Sequence, residues 1–577
     1  MDEINSLNPK RIDDKDAKIP IVGLGASAGG LEAFEQFFRH VTSDSGMAYV
    51  LVSHLDPGHA SMMTEILQRI AAIPVVEAKD GMVVEMNHVY IIPPNKNLAV
   101  FNRILRLSDP EAPRGQRMPI DFFFRSLAED QAEMSIGVIL SGTGTDGTLG
   151  VRAIHGAGGV SFVQDPSTAR YDGMPNSAIK SDLATYVLPV ERMPEEIIKY
   201  IKTLSLSRDH AHSILGTSGS IAKILTAIRS ATGHDFTLYK RSTILRRIER
   251  RMIAHSIENT DAYSQYLKEH PEEVSLLFKE LLINVTSFFR DPEAFLVLKT
   301  EIIPKLFENK PEDYTFRVWV PGCASGEEAY SIAILFKECM AEFKKNFLVQ
   351  IYGTDIDEDS IQYARSGIYL PNIATDVSSE RLSRFFIKDE AGYRIRKEIR
   401  EMVVFAAQNV IRDPPFSRLD LVSCRNLLIY LEPEVQNRIL QIFHFSLKPG
   451  GILLLSPSES VGSNLDLFGS VNKKWKFFAA KTSAVRPVIA GGIAWSDCRF
   501  EKEAEGLKNV PKETNFSELT RRALIESYAP PSVVTDEVGN ILYVHGDTGK
   551  YLRPAPGQAS LNVLEMAREG LRSNLRI

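Results

Sequence analysis

Ile19-Pro-Ile-Val-Gly-Leu-Gly-Ala-Ser-Ala-Gly-Gly30 reads as an apolar strand that runs through a glycine-rich bend into a helix, with Ser27 at the bend. Two chemistries use such a turn. Gly23-Leu-Gly25-Ala-Ser-Ala28 nearly fits the glycine fingerprint that brings backbone close to a dinucleotide's pyrophosphate. Gly25-Ala-Ser-Ala-Gly29 fits a nucleophile elbow. The end of the next strand separates them. A dinucleotide fold places an acid there, about 20 residues further on, to hold the ribose. Here Tyr49-Val-Leu-Val-Ser53 ends in His54, and an imidazole is what a serine needs to lose its proton. A third strand end, Leu140-Ser-Gly-Thr-Gly-Thr-Asp146, adds an aspartate able to orient that imidazole. In a parallel sheet all three lie beyond the carboxyl ends of strands, where such sheets carry their sites. Any one of them alone is usually a solvated loop side chain, and His59 and His155 compete as bases, Asp56 and Asp165 as orienters. Joint placement at three strand ends favours a Ser27, His54, Asp146 triad. Its chain order differs from the Ser–Asp–His order of α/β-hydrolases.

A second glycine turn, Phe316-Arg-Val-Trp-Val-Pro-Gly-Cys-Ala-Ser-Gly-Glu-Glu328, ends in carboxylates instead. The following strand, Gln350–Gly353, closes on Thr354-Asp355, an acid suited to ribose hydroxyls. This pair predicts adenosine binding of S-adenosylmethionine or NAD type. Gln408-Asn409, after a third strand, suits the adenine edge. Lys448-Pro-Gly-Gly-Ile-Leu-Leu-Leu-Ser456 is a turn and strand of the kind that closes a methyltransferase sheet as a hairpin. Asp413-Pro-Pro-Phe416 looks like the catalytic turn of a nucleic-acid amino-methyltransferase, but that turn follows the fourth strand. Here it precedes Leu419–Cys424, and it reads as a loop.

Around these turns the chain alternates strand and helix. Ile19–Gly23, Ala48–Ser53, His88–Ile92, Ile136–Leu140 and Gly159–Val163 are strands of one mostly parallel sheet. Phe316–Val320, Val349–Thr354, Val403–Ala407, Leu419–Cys424 and Gly451–Ser456 belong to another. The fold class is α/β, with two doubly wound domains. The expected organisation is a polar tail (1–18), a hydrolase domain (19–200), a linker (201–217), helices (218–295), a nucleoside-binding domain (296–483) with a small antiparallel insert (369–404), a second linker (484–516) and an α+β fragment (517–577). At 577 residues, three or four domains are expected. The apolar fraction of 44% and charged fraction of 24% are ordinary for globular protein. No run of about 18 apolar residues predicts a membrane span, and the tail is not a signal peptide. Four cysteines without metal-type spacing predict a reducing, cytoplasmic setting. A net charge of −6 argues against a nucleic-acid coat.

Ile21–Gly30, Ser53-His-Leu-Asp-Pro57, Leu140–Gly147 and Gln164-Asp-Pro-Ser-Thr-Ala-Arg-Tyr-Asp-Gly-Met-Pro-Asn176 together resemble the chemotaxis protein-glutamate methylesterase family (CheB type), over about Pro20 to Val190. The resemblance implies that Ser27 attacks the γ-methyl ester of a receptor glutamate, with His54 as base then acid and Asp146 orienting it. Glutamine deamidation is a second reaction the family allows. Amides near Ala28 and Thr143 would hold the oxyanion. The family often has threonine and methionine at those two positions, a change that touches side chains rather than backbone donors. Its usual phosphoacceptor receiver does not precede Pro20, so control by an attached receiver is not expected.

Asn284-Val-Thr-Ser-Phe-Phe-Arg290, Gly322–Tyr330, Gly353-Thr-Asp-Ile-Asp357, Gln408-Asn-Val410 and Ser423-Cys-Arg-Asn-Leu-Leu-Ile-Tyr430 resemble the chemotaxis receptor glutamate methyltransferase family (CheR type), from about Ser218 to Ser483. The resemblance assigns Asn284, Thr286, Arg290, Glu327, Asp355, Asn409, Val410, Arg425 and Asn426 to an S-adenosyl-L-methionine site and Tyr430 to the transferred methyl. It also turns the cationic helix carrying Arg246, Arg247, Arg250 and Arg251 towards acidic methylation helices of receptors, where guanidinium forks suit carboxylates. A solvated face is the ordinary fate of such a run. Val533-Val-Thr-Asp-Glu-Val-Gly-Asn-Ile-Leu-Tyr543 resembles the start of a PAS sensor domain, shorter here than the usual length of about 100 residues. The expected protein methylates and demethylates chemoreceptor glutamates, with receptor helices as substrate and a signalling kinase or response regulator as further partner. The rival is a regulatory scaffold keeping both folds with one or both activities lost, which the presence of every predicted side chain disfavours.

Overall fold

The computed structural model describes residues 19–482 apart from 55–59, 111–116, 182, 210–217, 283–284 and 390–391, and further on 532–535, 541–545, 551–552, 562–568 and 571. Met1–Ile493 and Ala494–Ile577 are separate compact units. In the second, Ser532–Thr535 and Ile541–His545 pair as an antiparallel hairpin. The expected 484–516 linker, the 517–531 part of the fragment and the 536–540 turn lie outside the described residues.

The first sheet uses β1 (Ile21–Ala26), β2 (Ala48–Ser53), β3 (Val75–Glu77), β4 (Val89–Ile91), then, beyond a separate hairpin of β5 (Asn97–Phe101) and β6 (Ile104–Ser108), β7 (Ser135–Ile139), β8 (Val160–Gln164) and β9 (Tyr186–Leu188). Their order is β3-β4-β2-β1-β7-β8-β9, with every pairing parallel. Helices cover both faces, which is why β1, β2, β7 and β8 are buried at every residue and read as continuous apolar runs. The direction of chain progression reverses at β1, whose neighbours are β2 and β7. That switch point is where such sheets open a crevice. Glycines in β1 let the Pro119–Gln131 helix close on the sheet: a Cβ at Gly25 would stand 2.4 Å from Ile120. Strands β3 and β9, three residues each, are too short to show a period in sequence.

Residues 201–209, expected as linker, instead continue the Met193–Asp209 helix. Ile197, Ile201 and Leu204 lie against the first core, and that burial holds helix through a serine-rich stretch of weak periodicity.

Four helices, Ser218–Thr232, Arg241–Ala254, Thr260–Glu269 and Pro271–Leu281, then enclose a small core of Ile224, Ile228, Phe236, Ile248, Tyr263 and Leu277. The second sheet contains β10 (Thr315–Pro321) and β11 (Leu348–Asp355). It is interrupted by the insert with β12 (Ile368–Tyr369), β13 (Phe386–Asp389) and β14 (Gly392–Ile395), and completed by β15 (Val403–Ala407), β16 (Leu419–Cys424), β17 (Leu447–Leu455), β18 (Phe468–Asn472) and β19 (Phe477–Ala480). The order is β15-β11-β10-β16-β17-β19-β18. Only β19 pairs antiparallel with its neighbours, closing the edge as a hairpin. The insert is antiparallel, as expected.

Within the first unit the two α/β domains touch. The Thr148–Gly156 helix of the first domain meets the second through Arg152 and Glu327 (3.4 Å) and through His155 and Glu280 (3.0 Å). At its end a Cβ on Gly156 would fall 2.0 Å from Val285.

Candidate active sites

Ser27, His54 and Asp146 follow β1, β2 and β7, three adjacent strands. At the bend the left-handed residue is Gly29 (φ 75°), and a Cβ there would meet Ser141 Oγ at 2.8 Å. Ser27, half-buried, directly follows β1 in the bend before the helix that starts at Gly30, and its N–H donates to the Ser141 carbonyl (3.0 Å). The strain of the turn therefore rests on a glycine rather than on the serine. Ser27 and His54 line one cavity of about 560 Å³. His54 Nε2 lies 2.8 Å from Asp146 Oδ2, which leaves Nδ1 as the ring nitrogen free to take a proton.

Asp146 is 3% exposed. The amides of Ile120 (3.0 Å) and Asp121 (2.9 Å), in the first turn of the Pro119–Gln131 helix, donate to it, as does the Gly147 amide (2.9 Å). A helix start is a natural seat for a carboxylate. The rivals are otherwise engaged. His155 is buried against Glu280, and Asp165 caps the Pro166–Thr168 turn. His59 and Asp56 lie outside the described residues.

In the second domain one pocket gathers Thr286, Arg290, Asp355, Asn409, Val410, Arg425, Asn426 and Tyr430. Asn284 lies outside the described residues. Glu327 is not on the pocket wall; Glu328 is. Glu327 turns to Ser325 Oγ (2.8 Å) and to Arg152 of the first domain. Successive helix residues point about 100° apart, so adjacent carboxylates at 327 and 328 take different surroundings. Tyr239, from the helical part, also lines the pocket, and no motif marked it.

Asp355 takes the amides of Ala324 (2.8 Å) and Asp357 (3.0 Å). Burial pushes its carboxyl up to about 6, against those amides. Glu328 is likewise raised by burial, with Arg425 opposing, and accepts from Ser423 Oγ (2.6 Å). Arg425 donates through Nη2 to the Arg290 carbonyl (2.7 Å) and to Asp291. Its Nε and Nη1 are buried without a hydrogen-bond partner, although Nη1 stands 3.5 Å from Glu328. A buried guanidinium with an unmet N–H donor on the pocket wall is chemically suited to an anionic ligand group.

The Asp413–Phe416 segment is structural. Asp413 clips the Asn409 amide (2.6 Å), and Phe416 stacks on Tyr352 at 4.2 Å. A cleft of about 660 Å³ adjoins the pocket, sharing Val285, Thr286, Arg290 and Tyr430 with it and walled opposite by Arg125, Leu149 and Arg152 of the first domain.

The expected docking face needs correction. Arg247 and Arg250 are buried at the domain junction, not open to a partner. Arg247 donates to the His155 and Gly156 carbonyls (3.1 and 3.3 Å), Arg250 to Thr185 Oγ1 (2.8 Å), and both pair with Glu280. Arg251 forks onto Glu273. Arg246 alone of the four is exposed.

Three family models match the chain: CheB methylesterase over residues 22–197, the all-alpha domain of CheR methyltransferase over 220–282, and the SAM binding domain of CheR methyltransferase over 284–477. A Rhodobacter capsulatus protein described as an uncharacterized 104.1 kDa protein is 34% identical over 88% of this chain, which spans 56% of that protein's length. A Pseudomonas putida protein named putative methyltransferase Cher3 is 32% identical, covering 42% of this chain and 90% of its own. The solved catalytic domain of Thermotoga maritima CheB methylesterase is 30% identical, covering 32% of this chain and 99% of its own, with a TM-score of 0.30. No helix among the described residues is long and apolar enough to cross a membrane. The chain carries a CheB methylesterase domain over residues 22–197, and over its second domain it belongs to the CheR methyltransferase family.

Proposed function

We propose that the chain modifies glutamate side chains of chemoreceptor helices in both directions, removing γ-methyl esters at the first site and adding them at the second. For the esterase, Ser27 Oγ attacks the ester carbonyl as His54 takes its proton. The C–O bond to the methoxy group breaks, and His54 returns the proton so that methanol leaves. Water, activated by the same imidazole, then frees the glutamate from Ser27. A glutamine amide follows the same course with ammonia as leaving group. Asp146 holds the ring and balances its transient charge. The observation that carries this reading is the His54–Asp146 hydrogen bond, made across the end of the Ser27 strand that lies between β2 and β7, in a cavity wall shared by His54 and Ser27.

For the methyltransferase, S-adenosylmethionine supplies an electrophilic methyl when bound. The donor set suits each of its parts: Asp355 for the ribose hydroxyls, Asn409 and Val410 for the adenine, the orphaned Arg425 N–H groups for its carboxylate and Glu328 for its ammonium. Thr286, Arg290 and Tyr430, common to pocket and cleft, suit the face where an acceptor carboxylate aligns. With a good leaving group already in place, alignment supplies much of the rate.

Two measurements test the pair. Methanol release from methyl-labelled receptor falls to background in Ser27→Ala; equal release would refute the esterase. Calorimetric affinity for S-adenosylmethionine falls at least about tenfold in Asp355→Ala, the loss of one or more hydrogen bonds to a charged acceptor. An undiminished affinity would refute the ribose assignment.

A further inference from the structure

Asn372 lies in the methyltransferase insert, in the short Pro371–Thr375 turn, yet its side chain is fully buried (0% exposed) inside the esterase domain. A buried amide is costly unless its donors and acceptor are met. Here all are met by esterase residues. Nδ2 donates to the Thr145 carbonyl (2.8 Å) and to the Asp121 carboxylate, and Oδ1 accepts from Thr145 Oγ1.

Those two partners are the pieces of chain that meet at Asp146. Thr145 precedes it in the β7 loop. Asp121 belongs to the helix turn whose amides hold both oxygens of Asp146. Asn372 thus ties the loop that carries the aspartate to the helix start that seats it. From these contacts we propose that Asn372 is a positioning residue for the esterase reaction, supplied by the methyltransferase domain.

The chemistry around Asp121 adds weight. This carboxyl is 1% exposed and accepts from the Gly150 amide (2.6 Å). Burial and the neighbouring Asp146 charge push it up to about 7, while Arg125, the Gly150 amide and the Asn372 amide favour its ionised form. Without the Asn372 donor, two carboxylates side by side would lose one of the groups that keep them apart in role. The Asp146 loop would lose its tie as well. A displacement of about an ångström in a catalytic group is enough to cost up to a hundredfold in rate.

The proposal rests on the esterase reading, so the experiment carries Ser27→Ala alongside. Methanol release and S-adenosylmethionine-dependent methylation are measured on the full chain for wild type, Asn372→Ala, Asn372→Asp, the exchange Asn372→Asp with Asp121→Asn, and Asp376→Asn. The last breaks the Arg125–Asp376 ion pair beside the same turn (2.5 Å) without touching Asp146. Expected are an esterase kcat at least about tenfold lower in both single Asn372 variants with KM within about threefold, and methylation within about twofold. The exchange should recover part of what Asn372→Asp loses, because the amide then stands on the esterase side and can donate to a carboxylate placed on the insert. Asp376→Asn should stay near wild type.

An unchanged kcat in Asn372→Ala overturns the proposal. So does a parallel fall of both activities with no recovery in the exchange, since that would mean a purely structural contact. A wild type no faster than Ser27→Ala would instead overturn the esterase reading itself.

Discussion

Glu327 and Glu328 are neighbours in sequence, yet one faces the esterase domain and the other the proposed cofactor pocket. Replacing Glu328 by Gln should weaken S-adenosylmethionine binding about tenfold, the scale of one charge-assisted contact, and Glu327→Gln should change it less than threefold; calorimetry on both checks this. Asp355 adds a pH dependence. Its carboxyl, held near 6, is ionised at pH 7.5 and mostly protonated at pH 5. Only the ionised form offers every lone pair to ribose hydroxyls, so affinity should drop about tenfold across that interval. At this scale much was legible in sequence. His54 and Asp146 follow strands with a clear apolar run, and Asp355 is the last residue of its strand; a strand end fixes where a side chain emerges. Which of two adjacent acids enters a pocket depends on the rotation of a helix about its axis, and the motif does not carry that. Tyr239 and Asn372 were invisible for a related reason: each acts on a site far away in sequence.

The Thr148–Gly156 helix begins two residues after Asp146 and ends against Val285, a wall of the proposed cofactor pocket. Its last glycine leaves no room for a side chain. Gly156→Leu should destabilise the first unit by about 1–3 kcal/mol, the usual cost of overpacking, seen as a lower melting temperature. The Arg241–Ala254 helix shows what periodicity leaves out. Its apolar stripe of Ile244, Ile248 and Met252 predicted the helix correctly. Two of its arginines, Arg247 and Arg250, are covered in part by the first domain, and a charge run looks the same whether it meets water, a receptor or a domain junction. Burial of Arg247 and Arg250 is tolerable only because Glu280 and backbone carbonyls meet them.

Between the domains, the junction is expected to weaken in acid. His155 is buried, and desolvation together with Arg250 pushes it down to about 4. Burial raises Glu280, but Arg250, His155 and Arg247 outweigh it and hold it well below the usual carboxylate range. An unfolded histidine takes a proton near pH 6.5, whereas His155 resists until about 4. The stability it contributes is present above 6.5 and is lost as pH falls towards 4. The stability of wild type relative to His155→Gln should therefore decline by about 3 kcal/mol between pH 7 and 4, measured by denaturant unfolding of both proteins. Placing the two family domains in one compact unit also fixes the stoichiometry of two opposed catalysts at one to one. Under the proposed activities the methylated fraction of a receptor at steady state then becomes independent of expression level. It is set by the ratio of two turnover rates and by the supply of methyl donor. Tenfold dilution should slow the approach to the plateau without moving it, while donor depletion should drain the receptor of methyl groups through the same molecule that installed them.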